Sequence, residues 1–146
     1  MRIAGITPHS FVNGEGVRYT VFLQGCPHRC LDCHNPSTWE GEGGTEITPS
    51  AIAKDFMSRK FLNGITLSGG EPFLQERECV ELLKQLPKVN VWIYTGYEYE
   101  DIQDTELARM ADVLVVGRFE ASKKCEGQYY GSSNQRIIRR TKDEQR

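Results

Sequence analysis

The chemistry-bearing residues of this sequence crowd into one run, Gly25-Cys26-Pro27-His28-Arg29-Cys30-Leu31-Asp32-Cys33-His34-Asn35-Pro36. Cys26, Cys30 and Cys33 place three thiols on one short loop, bracketed by Pro27 and Pro36. Thiolates at that density can wrap around a single soft metal centre. The competing structural reading is one helix face, because 26, 30 and 33 are spaced i, i+4, i+7; Pro27 and the polar residues between the cysteines speak against it. Two metal chemistries stay open. A structural zinc site needs four closed ligands, with His28 or His34 as the fourth. An iron–sulfur cube is usually held by four cysteines, and only three are close here. An incomplete set would leave one iron open to a substrate or cofactor, which suits a catalyst better than an electron carrier. Of the other two cysteines, Cys79 falls in a predicted helix and reads as a small core residue. Cys125, beside Lys123-Lys124, reads as a surface thiol or as one of lowered pKa.

Composition narrows the classes. Five cysteines, an odd number, in a chain without an apolar leader make a disulfide framework a poor reading, and a cytoplasmic location is expected. A net charge of −2 gives no field for a nucleic-acid partner. The apolar runs are too short for a membrane span. A length of 146 residues argues for one domain over 1–146, with residues 141–146 as a polar tail.

The elements that must position the cysteines alternate between strand and helix. Arg2–Ile6 is a candidate first strand, and Tyr19–Leu23 is β-branched and aromatic. Thr48-Pro49 caps and opens a helix to about Met57. Asn63-Gly64 is a turn before the buried strand Ile65–Ser68. Gln75–Leu86 has helical spacing and stops at Pro87. Val89–Thr95 reads as a strand, 98–110 as a helix broken near Asp104-Thr105, Val113–Val116 as a buried strand, and Ile137-Ile138 as an edge strand. This rhythm predicts βαβ units and a parallel sheet. A closed eight-unit barrel takes about 250 residues, so an α/β partial barrel or an open sheet is expected. Ligands collect at the carboxyl ends of strands in such folds, which is where Cys26, Gly69-Gly70-Glu71-Pro72, Thr95-Gly96 and Arg118 fall.

The spacing Cys-x3-Cys-x2-Cys resembles that of the radical S-adenosylmethionine (SAM) superfamily. With Gly14-x-Gly16-x-Arg18 before the strand, Phe22 inside it and Gly25-Cys26 through Asn35 after it, the run is similar to the signature of glycyl-radical activating enzymes. Other stretches resemble the branch that activates the anaerobic ribonucleoside-triphosphate reductase. These are Asn35-Pro36-x-Thr38-Trp39, Leu67–Pro72, Tyr94-Thr95-Gly96-Tyr97, Ala111–Val115, Gly117-Arg118-Phe119 and Gly131-Ser132-Ser133-Asn134-Gln135-Arg136.

The resemblance implies an incomplete parallel β/α barrel of about five to six strands and an oxidoreductase activity. Cys26, Cys30 and Cys33 would bind three irons of a [4Fe–4S] cluster, and SAM would chelate the fourth. A low-potential donor such as flavodoxin would supply one electron, and a 5′-deoxyadenosyl radical would take a hydrogen from a glycine of the reductase. Gly69, Gly70 and Glu71 would receive the methionine amino group of SAM, since carbonyls and a carboxylate suit an ammonium. Backbone groups from Asp32 to His34 would hold the adenine, although Asp32 stands where relatives often have an aromatic residue. Thr95 would lie near the cofactor, and Arg118 would pair with its carboxylate. Val116 occupies a position that is acidic in many relatives, which puts a ribose contact there in doubt. Gly14-Glu15-Gly16 is expected as a loop near the cluster. Two further readings stay in view: an activase of the formate-lyase type, and a small zinc-binding interaction module.

Overall fold

The computed structural model describes residues 1–25, 44–118 and 134–140. The expected tail 141–146, Cys125 and Gly131–Ser133 fall outside the described residues. Seven strands are described: β1 (Arg2–Ser10), β2 (Arg18–Leu23), β3 (Thr45–Glu46), β4 (Gly64–Gly69), β5 (Asn90–Tyr94), β6 (Val113–Val116) and β7 (Arg136–Arg139). They form one sheet in the order β3-β1-β2-β4-β5-β6-β7. The centre, β2-β4-β5-β6, is parallel. The flanks are antiparallel, β1 on β2, β3 on β1 and β7 on β6. The molecule is therefore mixed α/β, with an open seven-stranded sheet where about five to six barrel strands were expected.

The four parallel strands are near-continuous apolar runs because both of their faces are covered. On one face Tyr19, Val21, Leu23, Ile65, Leu67, Val91, Ile93, Leu114 and Val116 share a single buried cluster with residues of the helices. Those helices are α1 (Pro49–Met57), α2 (Glu76–Lys84), α3 (Tyr99–Ile102) and α4 (Glu106–Met110). The alternation of strand side chains puts Arg18, Thr20, Thr66, Trp92, Val113 and Val115 on the other face, all buried, with Trp92, Val113 and Val115 as a second, smaller cluster.

Local chemistry sets the helix ends. Thr48 Oγ1 accepts the Ala51 amide at 3.1 Å and Pro49 opens α1. The break expected near Asp104-Thr105 is present: Thr105 Oγ1 accepts the Ala108 amide at 3.2 Å and starts α4 afresh. Three elements differ from expectation. A 3-10 turn, Pro72–Gln75, capped by Glu71, precedes the helix expected over 75–86, and α2 itself runs Glu76–Lys84. Strand β1 runs on to Ser10 through Pro8, since pairing with β2 continues to Ser10↔Arg18 while β3 meets only Arg2 and Ile3. Pro8 thus occupies an edge position that needs no outward donor. The two-residue β3 carries too little pattern to be read from sequence; Glu46 holds it by pairing with the N-terminal ammonium at 3.1 Å and Arg2 at 3.4 Å. Among the described residues no helix is long and apolar enough to cross a membrane.

One polar contact ties β2 to α1. The Tyr19 hydroxyl donates to Asp55 Oδ2 at 2.7 Å beneath the edge-on Tyr19–Phe56 ring pair, whose centroids are 5.5 Å apart. That hydrogen bond first, and Arg59 second, hold the Asp55 carboxyl below its usual range. A carboxyl depressed on folding contributes stability that is present above its unfolded pKa and lost as pH falls through the folded value. Tyr19→Phe should therefore cost about 1 kcal/mol at neutral pH, after discounting for the exposure of Asp55. It should also flatten the loss of stability below about pH 4. Urea unfolding of both proteins at a series of acidic pH values checks this, and parallel pH curves would refute it.

Candidate functional site

The site is built where the parallel strands stop. Four strand ends are joined there by backbone hydrogen bonds. The Gly70 amide donates to the Leu23 carbonyl and the Glu71 amide to the Gly25 carbonyl, both at 2.8 Å, linking β4 to β2. The Thr95 amide donates to the Val115 carbonyl and the Gly117 amide to the Tyr97 carbonyl, both at 2.9 Å, linking β5 to β6. Gly69 adopts φ +90, and a Cβ on it would lie 2.5 Å from the Leu23 nitrogen. Only glycine allows β4 to turn that close to β2.

Between these two pairs stands Glu71, whose side chain is wholly buried. The Thr95 hydroxyl lies 2.8 Å from Glu71 Oε1 and 2.7 Å from Oε2 and donates to the carboxylate. The Gly96 amide donates to Oε1 at 2.8 Å and the Phe73 amide to Oε2 at 3.0 Å. In turn the Tyr97 amide donates to Thr95 Oγ1 at 3.1 Å. The carboxylate thus spans from the turn after β4 to the turn after β5 while capping the 3-10 turn that follows it.

Of the expected site residues, the structure brings Gly69, Gly70, Glu71 and Thr95 into one hydrogen-bonded group. Arg118 is exposed beyond β6, where its carbonyl accepts the Asn134 side-chain amide at 2.8 Å. Cys26, Cys30, Cys33, Asp32 and His34 lie outside the described residues. Their run leaves directly from Gly25, whose carbonyl is held by Glu71. Among the described residues, no group of three or more His, Cys, Asp or Glu could hold a metal ion. Cys79 is the one thiol among the described residues, and it is buried in the core; three thiolates spaced as in the run that follows Gly25 suit a soft-metal cluster. Val116 is fully buried in the helix-side core.

The glycine motif ahead of β2 sits elsewhere than expected. Gly14 packs on Arg18 and Trp92, where a Cβ would come within 2.8 Å of Arg18 Cδ and 2.9 Å of Trp92 Cδ2. Gly16 packs on Asn63, whose Oδ1 accepts the Val17 amide at 2.8 Å. Both lie at the amino ends of β2, β4 and β5, opposite Gly25. Sequence proximity to the cysteines misled because β2 runs the length of the sheet between them. Arg18 is what this loop covers. Only 1% exposed, it donates to Thr66 Oγ1 at 2.7 Å and to the carbonyls of Glu15, Ile65 and Asn90 at 2.8–2.9 Å. The guanidiniums of Arg18 and Arg139 both lie over the Trp92 ring, 5.7 and 5.6 Å from its centroid. Burial pulls the Arg18 pKa down to about 10.

Sequence reading missed that Glu71 and Thr95 are partners. The available signal was topological: adjacent parallel strands must bring their carboxyl ends together. Cys79 is, as expected, a core residue of α2. It is fully buried and its thiol donates to the Pro72 carbonyl at 3.7 Å; burial pushes its pKa up.

Two outcomes follow from these placements. Arg18→Lys loses the fork that spans strand carbonyls and should cost about 2–4 kcal/mol. Bound iron per folded molecule should be unchanged, because Arg18 is at the far end of the sheet. Chemical unfolding with parallel iron analysis checks both. Cys79→Ala should cost about 1 kcal/mol and retain all the iron; a variant that loses its iron would make Cys79 a ligand.

Residues 12–138 match the family described as a 4Fe-4S single cluster domain. The chain is 35% identical over 140 residues to the anaerobic ribonucleoside-triphosphate reductase-activating protein of Enterobacteria phage T4, covering 90% of each chain. It is 35% identical over 147 residues to the protein of that name from Vibrio cholerae, covering 92% of this chain and 95% of the relative. The identity to the Escherichia coli K12 protein of the same name is 33% over 142 residues, 88% of this chain and 92% of the relative. With its glycine-lined strand ends and the cysteine run that leaves from them, the chain belongs to the family of anaerobic ribonucleoside-triphosphate reductase-activating proteins.

Proposed function

We propose that the chain is a radical SAM activase that installs a glycyl radical on an anaerobic ribonucleoside-triphosphate reductase, and that residues 1–146 form one domain of the partial-barrel type. The observation that carries this reading is the departure of the three-cysteine run from Gly25, hydrogen-bonded to the turn Gly69-Gly70-Glu71. Helices packed against one face of a parallel centre support the barrel relationship.

In this reading Cys26, Cys30 and Cys33 would hold three irons of a [4Fe–4S] cluster, leaving the fourth for SAM. When bound, the pair supplies a one-electron reductive cleavage of the sulfonium bond that ends in hydrogen abstraction from a glycine of the reductase. The protein binds and orients. The main chain of the turn at Gly69-Gly70, held by Glu71, would meet the amino end of the cofactor, the backbone from Asp32 to His34 would meet the adenine, Thr95 would border the mouth, and the exposed Arg118 would pair with the cofactor carboxylate. A flavodoxin-type donor in the cytoplasm supplies the electron.

Electron paramagnetic resonance of the anaerobically reconstituted, reduced protein, recorded with and without SAM, tests the reading. The expected result is a [4Fe–4S]⁺ signal that changes on SAM addition and disappears in each of Cys26→Ala, Cys30→Ala and Cys33→Ala. Stoichiometric zinc without iron would replace the activase with a zinc-binding module. A cluster signal indifferent to SAM would leave an electron carrier.

A further inference from the structure

We propose that Glu71 is a positioning residue, a clamp between the turns after β4 and β5, and that it governs cofactor binding through the backbone it holds, without touching the cofactor. This rests on the radical SAM reading above. A carboxylate that binds an ammonium directly must present an oxygen lone pair to the cleft. Glu71 instead is 0% exposed, and both of its oxygens are engaged within the fold. Oε1 takes the Gly96 amide, Oε2 takes the Phe73 amide, and the Thr95 hydroxyl lies within 2.8 Å of both.

The backbone of the same residue fixes the origin of the cysteine run, because its amide holds the Gly25 carbonyl at 2.8 Å. One residue therefore sets three things at once: the turn Gly69-Gly70, the turn Thr95-Gly96 and the residue preceding Cys26. Pulling the carboxylate outward to meet a ligand would strip two part-buried amides and a buried hydroxyl of their acceptor, at a cost for each. In this reading the carbonyls of Gly69 and Gly70 receive the cofactor's amino end. Thr95 acts with Glu71 as one unit, and its hydroxyl is spent inside the clamp.

The test uses the full chain with reconstituted cluster and four variants: Glu71→Gln, Thr95→Val, their double and Thr95→Ser. Without SAM, hydrogen exchange at the Gly96 amide should quicken at least about ten-fold in Glu71→Gln and in Thr95→Val, and stay near wild type in Thr95→Ser. With SAM, followed by the change in the cluster's resonance, each of the first two should weaken binding about ten-fold. The double should be no weaker than the worse single, since the two residues share one interaction. A direct ligand gives another pattern: Glu71→Gln loses SAM affinity while Thr95→Val keeps it, or the losses add. Either overturns the clamp. Lower thermal stability with SAM affinity unchanged also overturns it, leaving only a structural contact. If wild-type protein carries the cluster yet ignores SAM, the activase reading fails by itself, and Gly96 exchange alone decides whether the clamp exists; unchanged exchange in Glu71→Gln would end it.

Discussion

A carboxylate withdrawn completely from water can persist only if the fold surrounds it with donors. Glu71 meets that demand with two backbone amides and a hydroxyl drawn from segments on either side of it. Those donors exist in the right places only when β4 and β5 are in register and their turns are formed. The dependence runs both ways: the carboxylate needs the turns, and the turns are fixed by the carboxylate. The tight approach of Gly69 to Leu23 extends the arrangement to β2, and the Thr95 amide on Val115 extends it to β6. Four strand ends therefore behave as one object at the edge where the cysteine run begins.

The opposite edge is secured by the opposite charge. Arg18 is buried among the amino ends of β2, β4 and β5, and its described hydrogen bonds go to neutral acceptors, three carbonyls and a threonine hydroxyl. Desolvation dominates the balance of effects on its pKa, so its contribution lies in fixing strand ends rather than in an ion pair. Each end of the parallel core is thus specified by a buried charged group that tolerates few alternative arrangements. The glycine motif in front of β2 serves the arginine end: Gly14 is the residue that lets a loop lie against Arg18 and Trp92.

Much of this was legible in the sequence, and the failures have identifiable causes. Helix α1 was readable because Thr48 and Pro49 are local signals that need no tertiary partner. Strand β6 was readable because four consecutive buried apolar residues admit little else in so short a run. Strand β3 was not, since two exposed residues held by Glu46 and the chain's own ammonium leave no periodicity. Pro8 hid the extension of β1, because only the pairing with β2 shows that the strand runs on past it to Ser10. For the candidate site, glycine and carboxylate types singled out the turn Gly69-Gly70-Glu71. Their division of labour depended on which strand lies next to which, and the Glu71–Thr95 pairing is a consequence of that order.

The placement of the helices bears on how the two edges of the parallel core differ. They bury one face of the sheet, so the other face needs different cover for Arg18, Thr20, Thr66 and Trp92, all of them buried. At the amino ends the 13–16 loop supplies it: the Asn13 carbonyl accepts the Thr66 hydroxyl at 2.6 Å, and Glu15 pairs with Arg139 beside Trp92. Polar groups at that end are consumed by the fold. At the carboxyl ends the backbone turns on glycine at positions 25, 69 and 117, each with positive φ. At those three positions the strand ends carry no Cβ. A rim of main-chain groups without Cβ atoms in the way admits close approach by a ligand, and the residue that keeps the rim in shape can therefore stand behind it.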